Sequence, residues 1–406
     1  MIQEICRTDL CTGCAACVNI CSNSAISMQS DEKGFLRPVV SPEHCVDCGD
    51  CIRVCAQNDR KSPIQEGKII AALAIDDEIR AKSSSGGVFS LLAEKTIQEG
   101  GLVFGAAIGE NHKVQHMMVD SLDNLCLLQG SKYVQSEVAD CYKKVKEHLE
   151  KGKKVLFSGT PCQADALVRV LGRNYNNLLI VDIVCHGVPS QKVLQKFISS
   201  RESALGKKAI SVNFREKDPG WESFSTLIQY DDGTREIDNS YYYFFVQNYC
   251  LRDSCSQCLY SNVKRIGDLS LGDFWGYKES APEHIENDDL GISLVSINSE
   301  KGEAALRSIK RKLDYAMRSR EEAVKGNPVL LYPCAAHERS SEFWSDFQKM
   351  DWDELVDKYK ISREKKRDKI SPSDRTYYAK PYQQRHKLHL IHCAKNALKN
   401  KIRGLI

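Results

Sequence analysis

Two cysteine runs near the start of the chain constrain what it can fold into more than any other feature. CTGCAACVNIC places Cys11, Cys14, Cys17 and Cys21 at C-x2-C-x2-C-x3-C, and CVDCGDCIRVC repeats that spacing at Cys45, Cys48, Cys51 and Cys55, offset by 34 residues. This spacing holds a pair of [4Fe–4S] cubanes, the first three thiolates of each run wrapping one cube and the fourth reaching across to the other. Cluster one is expected on Cys11, Cys14, Cys17 and Cys55, and cluster two on Cys45, Cys48, Cys51 and Cys21. A structural zinc would instead take two CxxC pairs closed as one tetrahedron. The proline that usually follows each fourth cysteine is replaced by Ser22 and Ala56, which bears on potential or rigidity rather than on ligation. Cys6 reads as a spare buried thiol.

The chain has 18 cysteines, nine of them in the first 55 residues. The N-terminus lacks the apolar core of a secretory signal, and no apolar run reaches the ~18 residues that span a bilayer. A cytoplasmic location is expected, where thiols stay reduced, so metal ligation is the default reading. At 406 residues there is room for two or three domains. Residues 1–62 read as a bacterial ferredoxin-like domain, 66–345 as a larger domain, and 346–406 as a basic helical extension. From Lys358 onward there are 15 Lys/Arg against 3 Asp/Glu, so a basic tail hangs on an acidic body.

After the linker AQNDRKSPIQEG, apolar runs alternate with helical patterns: KIIAALAI, then SSSGGVFSLLAEKTIQEGG, LVFGAAIG, KKVLFSG with TPCQADALVRVLG, and NLLIVDIV with CHGVPSQKVLQKFISS. This implies an α/β core with parallel pairing. AISVNFREK and FSTLIQYDDGTREI read as antiparallel strands, so the sheet is expected to be mixed and the class α+β / α/β. Two strand ends deliver Cys162 and Cys185, and ligands gather at such ends in α/β sheets. CSQC adds Cys255 and Cys258, making four thiolates, enough for a third [4Fe–4S] cluster. Three alternatives stay open: buried small thiols, a Cys162 nucleophile activated by a helix N-terminus, or Cys250 in place of one ligand.

SSSGGVFSLL (83–92), QGSKYVQS (129–136), FSGTPCQADAL (157–167), DIVCHGVPS (182–190), NFREKDPGW (213–221), CSQC (255–258) and GDLSLGDFWG (267–276) occur in that order. The ordered set resembles the family of coenzyme F-420 hydrogenase/dehydrogenase beta subunits, in its bacterial form with a fused two-cluster ferredoxin domain. The resemblance implies a mixed-sheet, FAD-binding catalytic domain whose own [4Fe–4S] cluster sits on Cys162, Cys185, Cys255 and Cys258. No G-x-G-x-x-G follows a strand, so a Rossmann dinucleotide site is not supported. The FAD candidates are Ser84, Ser85, Gly86 and Gly87 as a pyrophosphate cradle at a helix start, Lys132 toward a phosphate or flavin carbonyl, and Gly159, Thr160 and Gln163 beside the ring.

A ferredoxin-dependent flavin oxidoreductase is the expected activity. Electrons would arrive singly from reduced ferredoxin or another low-potential donor and leave as hydride to a small organic acceptor. Relatives act on the deazaflavin coenzyme and on a chlorophyll precursor, and bacterial versions with NFREKDPGW are associated with polysaccharide biosynthesis. The alternatives are a true coenzyme F-420 reductase or dehydrogenase subunit, and a non-catalytic electron-transfer subunit. Asp182, His186 and Asp273 lie in motifs suited to a proton donor, and no catalytic residue is assigned. In the tail, Leu388, Ile391, Ala394, Leu398, Ile402 and Leu405 recur at helical spacing among lysines and arginines. That basic amphipathic helix suits an anionic membrane surface or an acidic partner face. REKKRDK carries no nucleic-acid fold, and homo-oligomer formation is left open.

Overall fold

The computed structural model describes residues 2–59, 65–218, 220–277 and 285–364. The basic tail helix and its membrane or partner contact lie outside the described residues.

The two cysteine runs fold alike. In each, the second residue after the first cysteine and the residue after the second cysteine are left-handed: Gly13 (φ 64°) and Ala15 (φ 61°), then Asp47 (φ 59°) and Gly49 (φ 78°). Interleaving these conformations with ordinary ones turns backbone N–H groups toward one side, a nest that favours an anion. Holding Ala15 and Asp47 there costs roughly 1–2 kcal/mol each. One-turn helices, Ala16–Ile20 and Asp50–Val54, then lead to Cys21 and Cys55 in extended backbone. A hairpin of Ile26–Ser30 and Leu36–Val40 separates the runs, with Ile26 opposite Val40.

The larger domain is built on an eight-stranded sheet ordered Leu313–Arg318, Lys68–Ala74, Ser293–Ile297, Leu269–Asp273, Leu178–Ile183, Val155–Gly159, Leu102–Ile108, Val114–Val119. The four strands from Leu269–Asp273 to Leu102–Ile108 run parallel, and the outer ones are antiparallel. The parallel strands Leu102–Ile108, Val155–Gly159 and Leu178–Ile183 are mostly apolar because helices cover both faces. Leu156 and Val181 pack beneath Val88–Gln98 and Glu300–Ile309, whereas Phe157 and Ile180 pack beneath Cys141–Glu150 and Pro161–Leu171. Fully burying such side chains contributes roughly 1.5–3 kcal/mol each.

The sheet is mixed, as expected, through different strands from those expected. Ala209–Glu216, Ser225–Tyr230 and Arg235–Ile237 form a separate three-stranded sheet. Its core continues past residue 345. Trp352, Leu355 and Tyr359 of the helix Trp352–Tyr359 are buried with Phe197, Phe214 and Tyr241, so the boundary read at 345 coincides with no break in packing.

The N-terminal segment is seated in the larger domain rather than tethered to it. Ala15, Ala16 and Val54 share a core with Tyr142 and Phe157, and Phe35 shares one with Phe197 and Tyr241. Asn19 Nδ2 donates to the Ala139 carbonyl at 2.8 Å, and Tyr142 Oη donates to the Cys14 carbonyl at 3.0 Å.

Gly86 closes the loop before Val88–Gln98 onto the sheet. A Cβ there would lie 2.4 Å from the Ala72 carbonyl oxygen and 2.8 Å from the Ser293 nitrogen. Gly86→Ala is therefore expected to cost about 1–3 kcal/mol, as overpacking does, read as a lower denaturant midpoint at unchanged slope.

Candidate iron–sulfur and redox site

Cys11, Cys14, Cys17 and Cys55, the residues expected to hold cluster one, line a single cavity together with Gly13 and Ala15. Cys6 lines it too, within hydrogen-bonding reach of Cys11 and Cys55, so it is a companion of the site rather than a remote spare. Cys21 and Cys51 meet in an apolar cluster with Ile5 and Ile26, and Cys45 and Cys48 lie beside Cys51. Cys11 and Cys17 are buried while Cys48 is exposed, so cluster two's position faces outward. The left-handed nests and the cubane-spaced thiols fit anionic clusters. Among the described residues no three Cys, His, Asp or Glu side chains converge on a single-ion position.

The third set comes together from three stretches of chain. Cys162 is the second residue of the helix Pro161–Leu171, which starts at Thr160 with Gln163 closing a capping box. Cys185 lies two residues beyond Leu178–Ile183, the parallel neighbour of Val155–Gly159, with Gly159 opposite Asp182. Cys255 and Cys258 sit in and just after the short helix Asp253–Gln257, whose start is tied down by Arg252 N–H donating to the Val188 carbonyl at 3.0 Å. Burial pushes the Cys162 and Cys185 thiols up, and charge on Cys255 and Cys258 adds to the effect; burial likewise raises Cys255 to about 12. Such shifts oppose the lowered pKa that an activated Cys162 nucleophile needs. Cys250 is elsewhere, fully buried among Tyr241, Phe244 and Tyr249. Cys14 lies close enough for its charge to raise Cys162, with Tyr142 and Tyr260 beside both. Cluster one's position thus faces the third set.

An Arg265–Asp182 pair beneath the site holds these stretches in register. One Asp182 oxygen accepts from Arg265 Nη2 at 2.7 Å and Nε at 3.2 Å, and the other from Gly267 N–H at 2.8 Å. Arg265 also donates to the carbonyls of Tyr260 and Ile183, reaching toward Cys258 on one side and Cys185 on the other. Both residues are buried, and both Asp182 oxygens are engaged by these donors. Asp273 is similarly held, by Arg215 and by Trp221 Nε1 at 2.7 Å. His186 Nε2 lies 2.7 Å from Asn248 Oδ1, and its Nδ1 lies 3.3 Å from Cys334 Sγ. Burial lowers the His186 pKa. Cys334, which also borders Cys255 and Cys258, had no spacing signal to find it.

The FAD candidates fall into two groups. Ser84 Oγ accepts from the N–H and hydroxyl of Ser131, tying the SSSGG loop to the loop that carries Lys132. Gln163 donates to Ser136, which bonds His116, whose pKa burial lowers to about 4. Several polar atoms are committed internally. Ser85 Oγ donates to the Ile292 carbonyl, Gly86 N–H donates to Ser293 Oγ, and Gln163 Oε1 accepts from Thr160. Lys132 Nζ donates to the carbonyls of Leu127 and Gln129, and burial lowers its pKa to about 7. Gly87 begins Val88–Gln98 in the left-handed region, and Gly159 lies within the sheet. Of the residues nominated as a pyrophosphate cradle, Ser85 Oγ and Gly86 N–H are thus engaged within the chain.

Cysteine nests in front of a mixed sheet, with two further cysteines at its strand ends and two on a neighbouring turn, define an iron–sulfur redox protein. Residues 10–58 match the 4Fe-4S dicluster domain, and residues 152–322 match the family defined by the C terminus of the coenzyme F420 hydrogenase/dehydrogenase beta subunit. The stretch similar to that family carries Cys162, Cys185, Cys255 and Cys258. The F subunit of the F(420)H(2) dehydrogenase of Methanosarcina mazei is 24% identical over 216 residues, 48% of this chain and 60% of that protein. Polyferredoxin protein MvhB of Methanothermobacter marburgensis is 33% identical over 72 residues, 16% of this chain and 17% of that protein. The chain thus spans three fifths or less of these relatives. A chain of the F420-reducing [NiFe] hydrogenase complex from Methanosarcina barkeri superposes with TM-score 0.43 at 18% identity, over 70% of this chain and 91% of that one. Among the described residues no helix is long and apolar enough to cross a membrane.

Proposed function

We propose that the chain is an iron–sulfur oxidoreductase subunit with three [4Fe–4S] clusters, taking electrons from reduced ferredoxin or a similar low-potential donor and delivering them to a small organic acceptor. The observation that carries the proposal is the gathering of Cys162, Cys185, Cys255 and Cys258 beside Cys14. The clusters, when bound, supply one-electron transfer, and FAD would convert single electrons into a hydride. Cys48, exposed at the outer edge, suits the meeting point with a donor. Tyr142 lies near both Cys14 and Cys162, and Arg265 and Asp182 keep the strand ends and the CSQC turn together. The flavin part rests on the resemblance of the ordered motifs alone, since Ser85 Oγ and Gly86 N–H of the nominated cradle are engaged within the chain.

That engagement favours a second reading, in which the chain relays electrons to a separate catalytic subunit. Iron, acid-labile sulfide and flavin are to be counted on protein purified without oxygen. About twelve irons with one FAD per chain supports the flavin enzyme, and about twelve without flavin supports the relay. About eight irons overturns the third cluster.

A further inference from the structure

Arg252 is a buried cation between the cluster positions with no carboxylate to balance it. It is 1% exposed. Its Nε donates to the Cys11 carbonyl at 2.7 Å, Nη1 to Gln135 Oε1 at 2.7 Å, and Nη2 to the Leu36 carbonyl at 2.8 Å. Nη2 also lies 3.7 Å from Cys11 Sγ. Every oxygen acceptor is neutral. Among the described residues Arg252 forms no ion pair, whereas its cationic neighbour Arg37 has Asp31 and Asp253. The groups whose negative charge it feels are the thiols of Cys11 and Cys255, one from each side of the gap between cluster one and the third set. The loop is shaped around it. A Cβ at Gly13, between Cys11 and Cys14, would lie 2.8 Å from Arg252 Nη1.

Charge of this kind is expensive to bury unless an opposite charge meets it, and among the described residues no carboxylate pairs with it, which leaves the sulfur of Cys11. We infer that Arg252 is the fixed counter-charge of the cluster on Cys11, Cys14, Cys17 and Cys55, stabilising its reduced form and making it the collecting point between the outward-facing cluster and the third. The inference rests on the proposed reading that these thiolates hold a cluster. Reduction there adds one electron from the low-potential donor. No bond forms or breaks, and no proton is taken up, because the guanidinium stays charged. Net charge and hydrogen bonds at the sulfurs set the potentials of such clusters, and Arg252 supplies both at Cys11.

The test is a potentiometric titration without oxygen, followed by electron paramagnetic resonance, on the full chain. In Arg252→Gln the reduced-to-oxidised ratio of one cluster, read at that cluster's wild-type midpoint, is expected to fall about tenfold or more, equivalent to about 59 mV for one electron. Arg252→Lys, which keeps the charge, is expected to stay within about threefold of wild type. Ratios unchanged in every cluster of a fully iron-loaded Arg252→Gln protein overturn the inference. Should that variant lose iron, wild-type protein containing ¹⁵N-labelled arginine decides instead. A ¹⁵N hyperfine coupling on the reduced signal of one cluster supports the assignment, and its absence from all of them overturns it. Wild-type protein holding fewer than about eight irons per chain would overturn the underlying cluster reading, a failure visible before any variant is compared.

Discussion

Replacing Cys255 and Cys258 together with alanine is expected to lower the iron content from about twelve to about eight per chain, with sulfide falling in step, while Cys250→Ala leaves both unchanged. The contrast follows from where the turn puts each thiol. Cys255 and Cys258 border Cys162 and Cys185, so removing them leaves two thiolates where a cubane needs four. Cys250 belongs to the same C-x4-C-x2-C run, yet its side chain points into an aromatic core and is fully buried there. Losing its sulfur leaves a small cavity, at a cost on the order of 1 kcal/mol, without touching a cluster. Iron and sulfide analysis of anaerobically purified variants reads the result. Iron loss in Cys250→Ala with the fold intact would return that residue to the ligand set.

Arg265→Ala is expected to destabilise the protein by about 3–5 kcal/mol, because it leaves the Asp182 carboxylate buried without its partner. Asp182 is 0% exposed and Arg265 5%, so water cannot take the partner's place. Removing Arg53 from its pair with Asp50, whose side chains are 67% and 41% exposed, is the control and should cost less than about 1 kcal/mol. Denaturant unfolding without oxygen measures both. A loss below about 1 kcal/mol for Arg265→Ala would mean that the Tyr260 and Ile183 carbonyls, rather than the ion pair, hold this corner. Arg265 joins the residues flanking Cys258 to those flanking Cys185, so third-site iron should fall with stability.

The features legible in the sequence are those carried by short spacing. C-x2-C-x2-C-x3-C fixes a loop and a helical turn within eleven residues, and apolar runs alternating with periodic helices announce the parallel centre of the sheet. What escaped depends on partners far apart in the chain. Arg265 and Asp182 are separated by 83 residues and Arg252 and Cys11 by 241, and no local pattern marks either arginine. SSSGG reads as a phosphate cradle because serine and glycine favour one, and no local pattern shows that Ser85 Oγ and Gly86 N–H bond to Ile292 and Ser293, two hundred residues on. That Trp352 completes the core around Phe197 and Tyr241 depends on tertiary packing alone.

The seating of the N-terminal segment also bears on portability. Many electron carriers can be lifted from one protein and grafted onto another, because their surfaces are finished before they meet a partner. Here Ala15, Ala16, Val54 and Phe35 reach outward into cores completed by the larger domain, and Arg252 returns the other way to grip the Cys11 carbonyl. Severing the chain between the two would strip apolar surface from both pieces and leave a buried guanidinium facing water. On the proposed reading, the distance from the first cluster position to the strand ends is therefore built into the fold, and evolution can alter it only by reshaping both halves together.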